Sequence, residues 1–263
     1  MIVFAAMVPH SPLLIPSVGK EHRDALAQTL KAYEQIEQAL YLAKPDTIII
    51  ISPHAQMYPD AFSGNMSPKY IGSLKAFGDF EPLFEAKADF LLLDHIHRAM
   101  RDNKVPFTLS SSEELDYGIS IPYSLLTTHL PNVKLAPLST SMLGVAEHAQ
   151  FGRELANIVR QETHRIAIIA SADLSHHANE ASPKGATAEG AWFETTVREA
   201  ALTQNLQSLL EMDSAKCEAA GQCGQKPLAI LLGALEGINL KASELSYEAP
   251  FGVGYSVIRF DLA

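Results

Sequence analysis

Cysteine is almost missing from this chain of 263 residues: there are two, Cys217 and Cys223. A spacing that short closes little loop, and a reducing cytosol does not favour a structural disulfide, so at least one thiol is expected to be free. Tryptophan occurs once, at Trp192, inside an amphipathic stretch where it reads as a core or subunit-interface residue. Basic residues are in deficit, with 20 Lys and Arg against 30 Asp and Glu and a formal net charge of −10. A general affinity for nucleic acid or anionic membrane needs the opposite balance, so no nucleic acid and no membrane partner is expected, and a small substrate or protein partner is. No apolar run approaches the roughly 20 residues of a membrane span, and MIVFAAMVPH lacks the basic segment of a signal peptide. The expected compartment is the cytoplasm. The phosphate-binding Walker sequence and the G-x-S-x-G elbow are also lacking, and GVGY at Gly252 to Tyr255 has neither the third glycine nor the following helix of a dinucleotide fingerprint.

Apolar sequence is plentiful, at 47% hydrophobic residues, enough for one full core. Ile2 to Val8 reads as a buried strand. The helical spacing of Leu26, Leu30, Tyr33, Ile36 and Leu40 then marks a helix, and Lys44-Pro45-Asp46 breaks it before a second strand, Thr47 to Ser52, with four consecutive isoleucines. Such a run suits a strand covered on both faces of a parallel sheet. Residues 57 to 80, rich in Gly, Pro, Ser and aromatics, predict a long loop near His54, and residues 81 to 103 predict a helix. A helix from Tyr123 through Leu130, a strand VKLAPLST, an amphipathic helix from Val145, a buried strand RIAIIASAD and one or two helices between Thr187 and Met212 follow. Pro227 sits in the first turn of a further helix, and two strands around a Pro/Gly loop close the chain. No linker divides it. The expectation is a single α/β domain over residues 1–263, with a central, largely buried β-sheet flanked by helices on both faces.

Three histidines stand where apolar strands run out: His10, His54 and His176. Ligands of open α/β sheets bind at the carboxyl ends of strands, so imidazoles delivered there point to a metal or acid/base centre. Two neutral imidazoles and one carboxylate or thiolate would leave coordination positions open. His95 and His97, two apart on a helix, face different directions and read as surface or packing residues. His177 must point away from its neighbour His176. Asp173 either caps the turn after its strand or orients His176 through a hydrogen bond.

The segments PHSPLL, SPHA, DYGISIP, SADLSHH and APFGVGY, in this order, together resemble the class III extradiol ring-cleavage dioxygenases, the superfamily of the protocatechuate 4,5-dioxygenase β subunit, and their Memo relatives. The resemblance implies that His10 and His54 are metal ligands and that His176 is the active-site base. It implies a mononuclear Fe(II) centre, with Zn or another divalent metal as the alternative, and a small aromatic substrate together with O2. Extradiol cleavage of a catechol-like or aminophenol-like ring is the first reading. A Memo-like metal-binding protein without dioxygenase activity, in a redox or radical-enzyme-associated role, is the second, and a zinc-dependent hydrolase the third.

Two positions depart from the enzymes' pattern. They use a glutamate as third ligand, whereas CEAAGQCGQKP resembles the Memo branch, in which cysteine takes that place. Cys223 is the resulting candidate and Glu218 its rival. Tyr117 stands where many of the enzymes have histidine, so a phenol there would donate to a substrate oxygen or simply pack. Some members of the family close their site with a small partner subunit; a subunit of that kind or a homodimer is the expected assembly.

Overall fold

The computed structural model describes all 263 residues. In chain order the strands are β1 (Ile2–Val8), β2 (Thr47–Ser52), β3 (Phe62–Asn65), β4 (Tyr70–Leu74), β5 (Asp79–Ala86), β6 (Phe107–Ser110), β7 (Glu114–Leu115), β8 (Lys134–Ser139), β9 (Ile166–Ser171), β10 (Leu240–Glu248) and β11 (Tyr255–Leu262). The helices are α1 (Pro16–Gly19), α2 (Ala27–Ala43), α3 (Phe90–Asp102), α4 (Tyr117–Leu126), α5 (Val145–Gln161), α6 (Ala188–Thr203), α7 (Leu206–Leu210), α8 (Ser214–Ala219) and α9 (Gln225–Leu235).

Every residue of β2 and of β9 is buried, as expected for unbroken apolar runs in the middle of a sheet. Eight strands form that sheet in the order β10-β11-β1-β9-β2-β8-β3-β6. The four central strands β1, β9, β2 and β8 run parallel, so their carboxyl ends lie side by side. β9 enters between β1 and β2, which makes its end the midpoint of whatever β1 and β2 deliver. Helices α2 and α4 pack together over the sheet, and α5 and α9 form the most extensive helix pair. One continuous buried apolar cluster runs from Phe4 to Phe260, which makes the molecule a single α/β domain. No helix is long and apolar enough to cross a membrane.

Three segments differ from the sequence-based expectation. Residues 57 to 80 are not a long loop: they hold β3, which joins the main sheet, and β4, which pairs with β5 and β7 in a small second sheet. The predicted helix over residues 81 to 103 begins only at Phe90, because Asp89 caps it by accepting the Leu92 N–H at 3.3 Å, while the preceding residues form the exposed strand β5. The helix expected from Tyr123 begins instead at Tyr117 and carries Pro122 inside it. A proline six residues into a helix removes a backbone bond to the carbonyl four residues back, here that of Gly118.

The α5–α9 contact depends on two glycines. A Cβ on Gly152 would stand 2.1 Å from the Ile230 carbonyl oxygen, and one on Gly233 would stand 2.3 Å from that of Ala149. Alanine is otherwise the better helix former by about 1 kcal/mol. Gly152→Ala is therefore expected to reverse that sign and destabilise the protein by about 2 kcal/mol, the usual scale of overpacking, as measured by urea unfolding. An unchanged or raised unfolding midpoint would show that the helices do not meet this closely.

Candidate metal centre

His10 and His54 each follow a strand end by two residues, and the tertiary structure brings them into contact. Their Nε2 atoms are 3.0 Å apart. Cys223, just ahead of α9, places its sulfur 3.5 Å from the same His10 nitrogen, and the three side chains form a group able to hold a metal ion. The Asp173 carboxylate Oδ2 lies 3.7 Å from it as well.

A proton count shows which way His10 points its lone pair. The Ser171 hydroxyl, at the end of β9, donates to the Gly118 carbonyl, the group that Pro122 leaves without its helical donor. A serine has one proton to give, so Ser171 Oγ can only accept from His10 Nδ1, which lies 2.8 Å away. Nδ1 therefore carries the hydrogen and Nε2 is a bare acceptor facing His54. Burial, reinforced by the neighbouring imidazoles, lowers the pKa of both His10 and His54 to about 3, so both rings are neutral near pH 7.

Four electron-rich atoms thus converge where only protons or a cation can reconcile them. Burial pushes the Cys223 thiol well up and the Asp173 carboxyl up to about 6, which shows how poorly the region tolerates further negative charge on its own. Donor separations of 3.0 and 3.5 Å suit adjacent positions around an ion with bonds of about 2.0–2.3 Å. Two imidazoles and a thiol fit a borderline divalent cation, and binding would release the thiol proton.

The surroundings hold these donors in place. The His10 N–H donates to Asp173 Oδ1 at 2.8 Å, so Asp173 acts on His10 and has no hydrogen bond to the His176 ring. The His54 N–H donates to Ser52 Oγ at 3.1 Å, and that hydroxyl donates to Asp116 Oδ1 at 2.6 Å. Tyr117, the first residue of α4, stacks its ring on His54 with centroids 4.4 Å apart and stands edge-on to His10. Its phenol pKa is raised, first by burial and then by Cys223 and the nearby carboxyls, which keeps the hydroxyl a donor.

His176 is exposed in the loop beyond β9, its N–H directed to the Ala220 and Gly221 carbonyls, and it lies near enough to His10, His54 and Asp173 to bear on their protonation. It flanks the cluster without joining it. His177 turns away, with its ring 3.3 Å from the Gly185 carbonyl. Glu218 is exposed on α8 and is not one of the clustered ligands. His95 pairs with Glu162 at the surface, and His97 lies beside Phe107. Trp192 packs against the core under Lys216.

Ser52, Ser171 and Glu194 are supporting residues that sequence reasoning missed. The available signal was serine closing the apolar runs TIIIIS and IAIIAS. Glu194, buried on α6, accepts the Ser175 N–H at 2.6 Å through Oε1 and faces the Tyr247 hydroxyl. A Cβ on Gly254 would stand 2.2 Å from both its oxygens, which explains the second glycine of GVGY.

Two measurements test this framework. Ser171→Ala leaves Nδ1 of His10 without an acceptor and is expected to weaken metal binding by about 10–100-fold, read by chelator competition; unchanged affinity would exclude the tautomer argument. Glu194, with its pKa raised by burial from 4.5 to about 7, binds its proton more tightly folded than unfolded. Its contribution is complete below about pH 4.5 and is lost as pH rises through about 7. The stability of the native protein relative to Glu194→Gln should therefore fall by about 3 kcal/mol between about pH 4 and about pH 8.

Comparisons with known proteins agree with this architecture. A Clostridium acetobutylicum protein, Protein CA_C1420, is 28% identical over 264 residues, covering 97% of this chain, and the chain spans 56% of that protein's length. The crystal structure of the uncharacterized protein JW3007 from Escherichia coli K12 superposes with a TM-score of 0.68 at 14% identity, covering 98% of this chain and 99% of the other, a likeness of fold. Residues 4–258 match the model of a family described as the catalytic LigB subunit of aromatic ring-opening dioxygenase, and the chain belongs to that family.

Proposed function

We propose that this protein is a mononuclear Fe(II)-dependent dioxygenase that opens a catechol-like or aminophenol-like ring beside a hydroxyl-bearing carbon. The observation that carries the reading is the pair of facing His10 and His54 nitrogens, 3.0 Å apart, just beyond the carboxyl ends of the two parallel strands that flank β9. Family membership supports the same class of chemistry. Iron bound by His10, His54 and Cys223 would supply Lewis acidity toward a substrate hydroxyl and the electrons that dioxygen chemistry needs.

The chain's own residues divide the remaining work. Asp173, Ser171 and Ser52 hold the two imidazoles in orientation. Tyr117 presents a flat face to an aromatic ring and a phenol that remains protonated to hydrogen-bond a substrate oxygen. His176, exposed at the rim, takes a proton from the substrate hydroxyl and returns it as the ring opens.

One observation favours the second reading, a Memo-like metal-binding protein without ring-opening activity. The clustered third donor is the Cys223 thiol rather than a carboxylate, and an oxidisable sulfur is a poor companion for dioxygen. The site would then serve a redox or radical-enzyme-associated role.

Metal content and oxygen uptake decide between them. Cys223→Ser is expected to lose or weaken bound metal and Glu218→Ala to retain it. His176→Ala should keep the metal and cut ring opening by about 10²-fold or more. Oxygen uptake with catechols in the Fe(II)-loaded native protein supports the dioxygenase. Tight metal binding without any uptake across catechols and aminophenols replaces it with the second reading.

A further inference from the structure

Phe77 is an apolar ring left at the surface, 40% exposed, in the single helical turn Lys75–Phe77 between β4 and β5. Its ring nonetheless meets that of Tyr117, with centroids 5.2 Å apart and planes at 83°. Tyr117 in turn touches both candidate metal ligands, stacked on His54 and edge-on to His10. The contacts form one line from solvent to the centre: Phe77 is exposed, Tyr117 and His54 are half-buried, and His10 is 1% exposed.

The small sheet places Phe77 there. β4 and β7 run parallel, with Ile71 opposite Glu114 and Gly72 opposite Leu115, so the residues that follow each strand leave in the same direction. After β7 come Asp116 and Tyr117, and after β4 comes the turn that carries Phe77. This shared end is tied at several points. Glu114 accepts from the Ser73 hydroxyl at 2.7 Å and from Lys75 Nζ at 3.0 Å, and the Ser120 hydroxyl of α4 accepts the Ser73 N–H at 3.2 Å. Gly78 closes the turn at φ +82°, a left-handed conformation that favours glycine. Beyond it, Asp79 accepts from the Ser17 hydroxyl at 2.5 Å, which fastens the far side of the hairpin to α1.

These ties fix where the Phe77 ring stands, and an aromatic pair at right angles contributes beyond the area it buries. We infer that Phe77 is a positioning residue: it holds the Tyr117 ring against His54, so that the ring and its hydroxyl keep one orientation at the candidate metal centre. A hydrogen bond weakens steeply when its donor is misaligned, so a fixed phenol serves a substrate oxygen better than a swinging one. That use of the clamp rests on the proposed catechol reading.

Two measurements test the clamp, the first without any substrate. In protein labelled with 3-fluorotyrosine, the Tyr117 fluorine signal is the one of eight that Tyr117→Phe removes. Phe77→Ala is expected to lengthen its transverse relaxation time by about 1.4-fold or more, the step from a rigid to a flexible order parameter. Unchanged relaxation overturns the clamp. The second measurement is 4-nitrocatechol binding to the Zn(II)-loaded protein, read by absorbance. Tyr117→Phe and Phe77→Ala are each expected to weaken it by about 3–10-fold, the scale of one hydrogen bond. In the Tyr117→Phe background, Phe77→Ala should add less than about 2-fold, because the group it positions is already gone. Phe77→Tyr, which keeps a ring at the exposed tip, should bind like the native protein. Full losses that add in the double variant would make Phe77 an independent contact and overturn its action through Tyr117. If 4-nitrocatechol binds no more tightly with the metal than without it, the catechol reading fails, and the relaxation measurement still decides the clamp.

Discussion

One serine proton organises the centre of this molecule. Pro122 has no N–H, so the Gly118 carbonyl in the first turn of α4 needs another donor and takes the Ser171 hydroxyl. That obliges Ser171 to accept from His10 Nδ1 and leaves His10 Nε2 bare. The metal-facing lone pair is thus set by a helix-interior proline more than a hundred residues along the chain. A buried imidazole carries its charge poorly, so the low pKa and the fixed tautomer act in the same direction and keep His10 a neutral ligand.

The sheet order makes this relay possible. β9 lies between β1 and β2, so Ser171 and Asp173 occupy the gap between the two histidines. Each imidazole is then steadied through a serine at the end of a central strand: Ser171 for the His10 ring and Ser52 for the His54 backbone. Tyr117 closes one side by stacking on His54. The donor set crowds negative potential into a buried space, and the raised pKa values of Cys223 and Asp173 express that cost. A bound cation relieves it, which couples metal binding to stability.

The loop that carries His176 depends on a different group. Glu194 holds the Ser175 N–H, Gly254 lies against the carboxyl where no Cβ fits, and the Gly254 backbone accepts the Leu174 N–H and donates to the Ser175 carbonyl. The tail motif APFGVGY is therefore linked to the site by packing: it forms the shelf under the loop. This gives Glu194 its buried, easily protonated carboxyl and makes the loop's stability respond to pH near neutrality.

Periodicity alone was enough to read the buried strands β1, β2 and β9 and the α/β class, because unbroken isoleucine and alanine runs have few other places to go. The strand-end positions of His10 and His54 were legible for the same reason. Local chemistry misled where short elements met: β3, β4 and β5 are too brief and irregular to show a period, and Asp89 caps a helix and Pro122 frees a carbonyl only in company with Leu92 and Gly118. That His10 and His54 touch, and that Cys223 joins them and Glu218 does not, are matters of register and crossover across long sequence separations. The sequence by itself determined the runs that make the sheet and the residue types at its ends. Only the tertiary structure decided which of those residues face one another, because hydrogen-bond direction and donor spacing exist only once β9 has entered between β1 and β2.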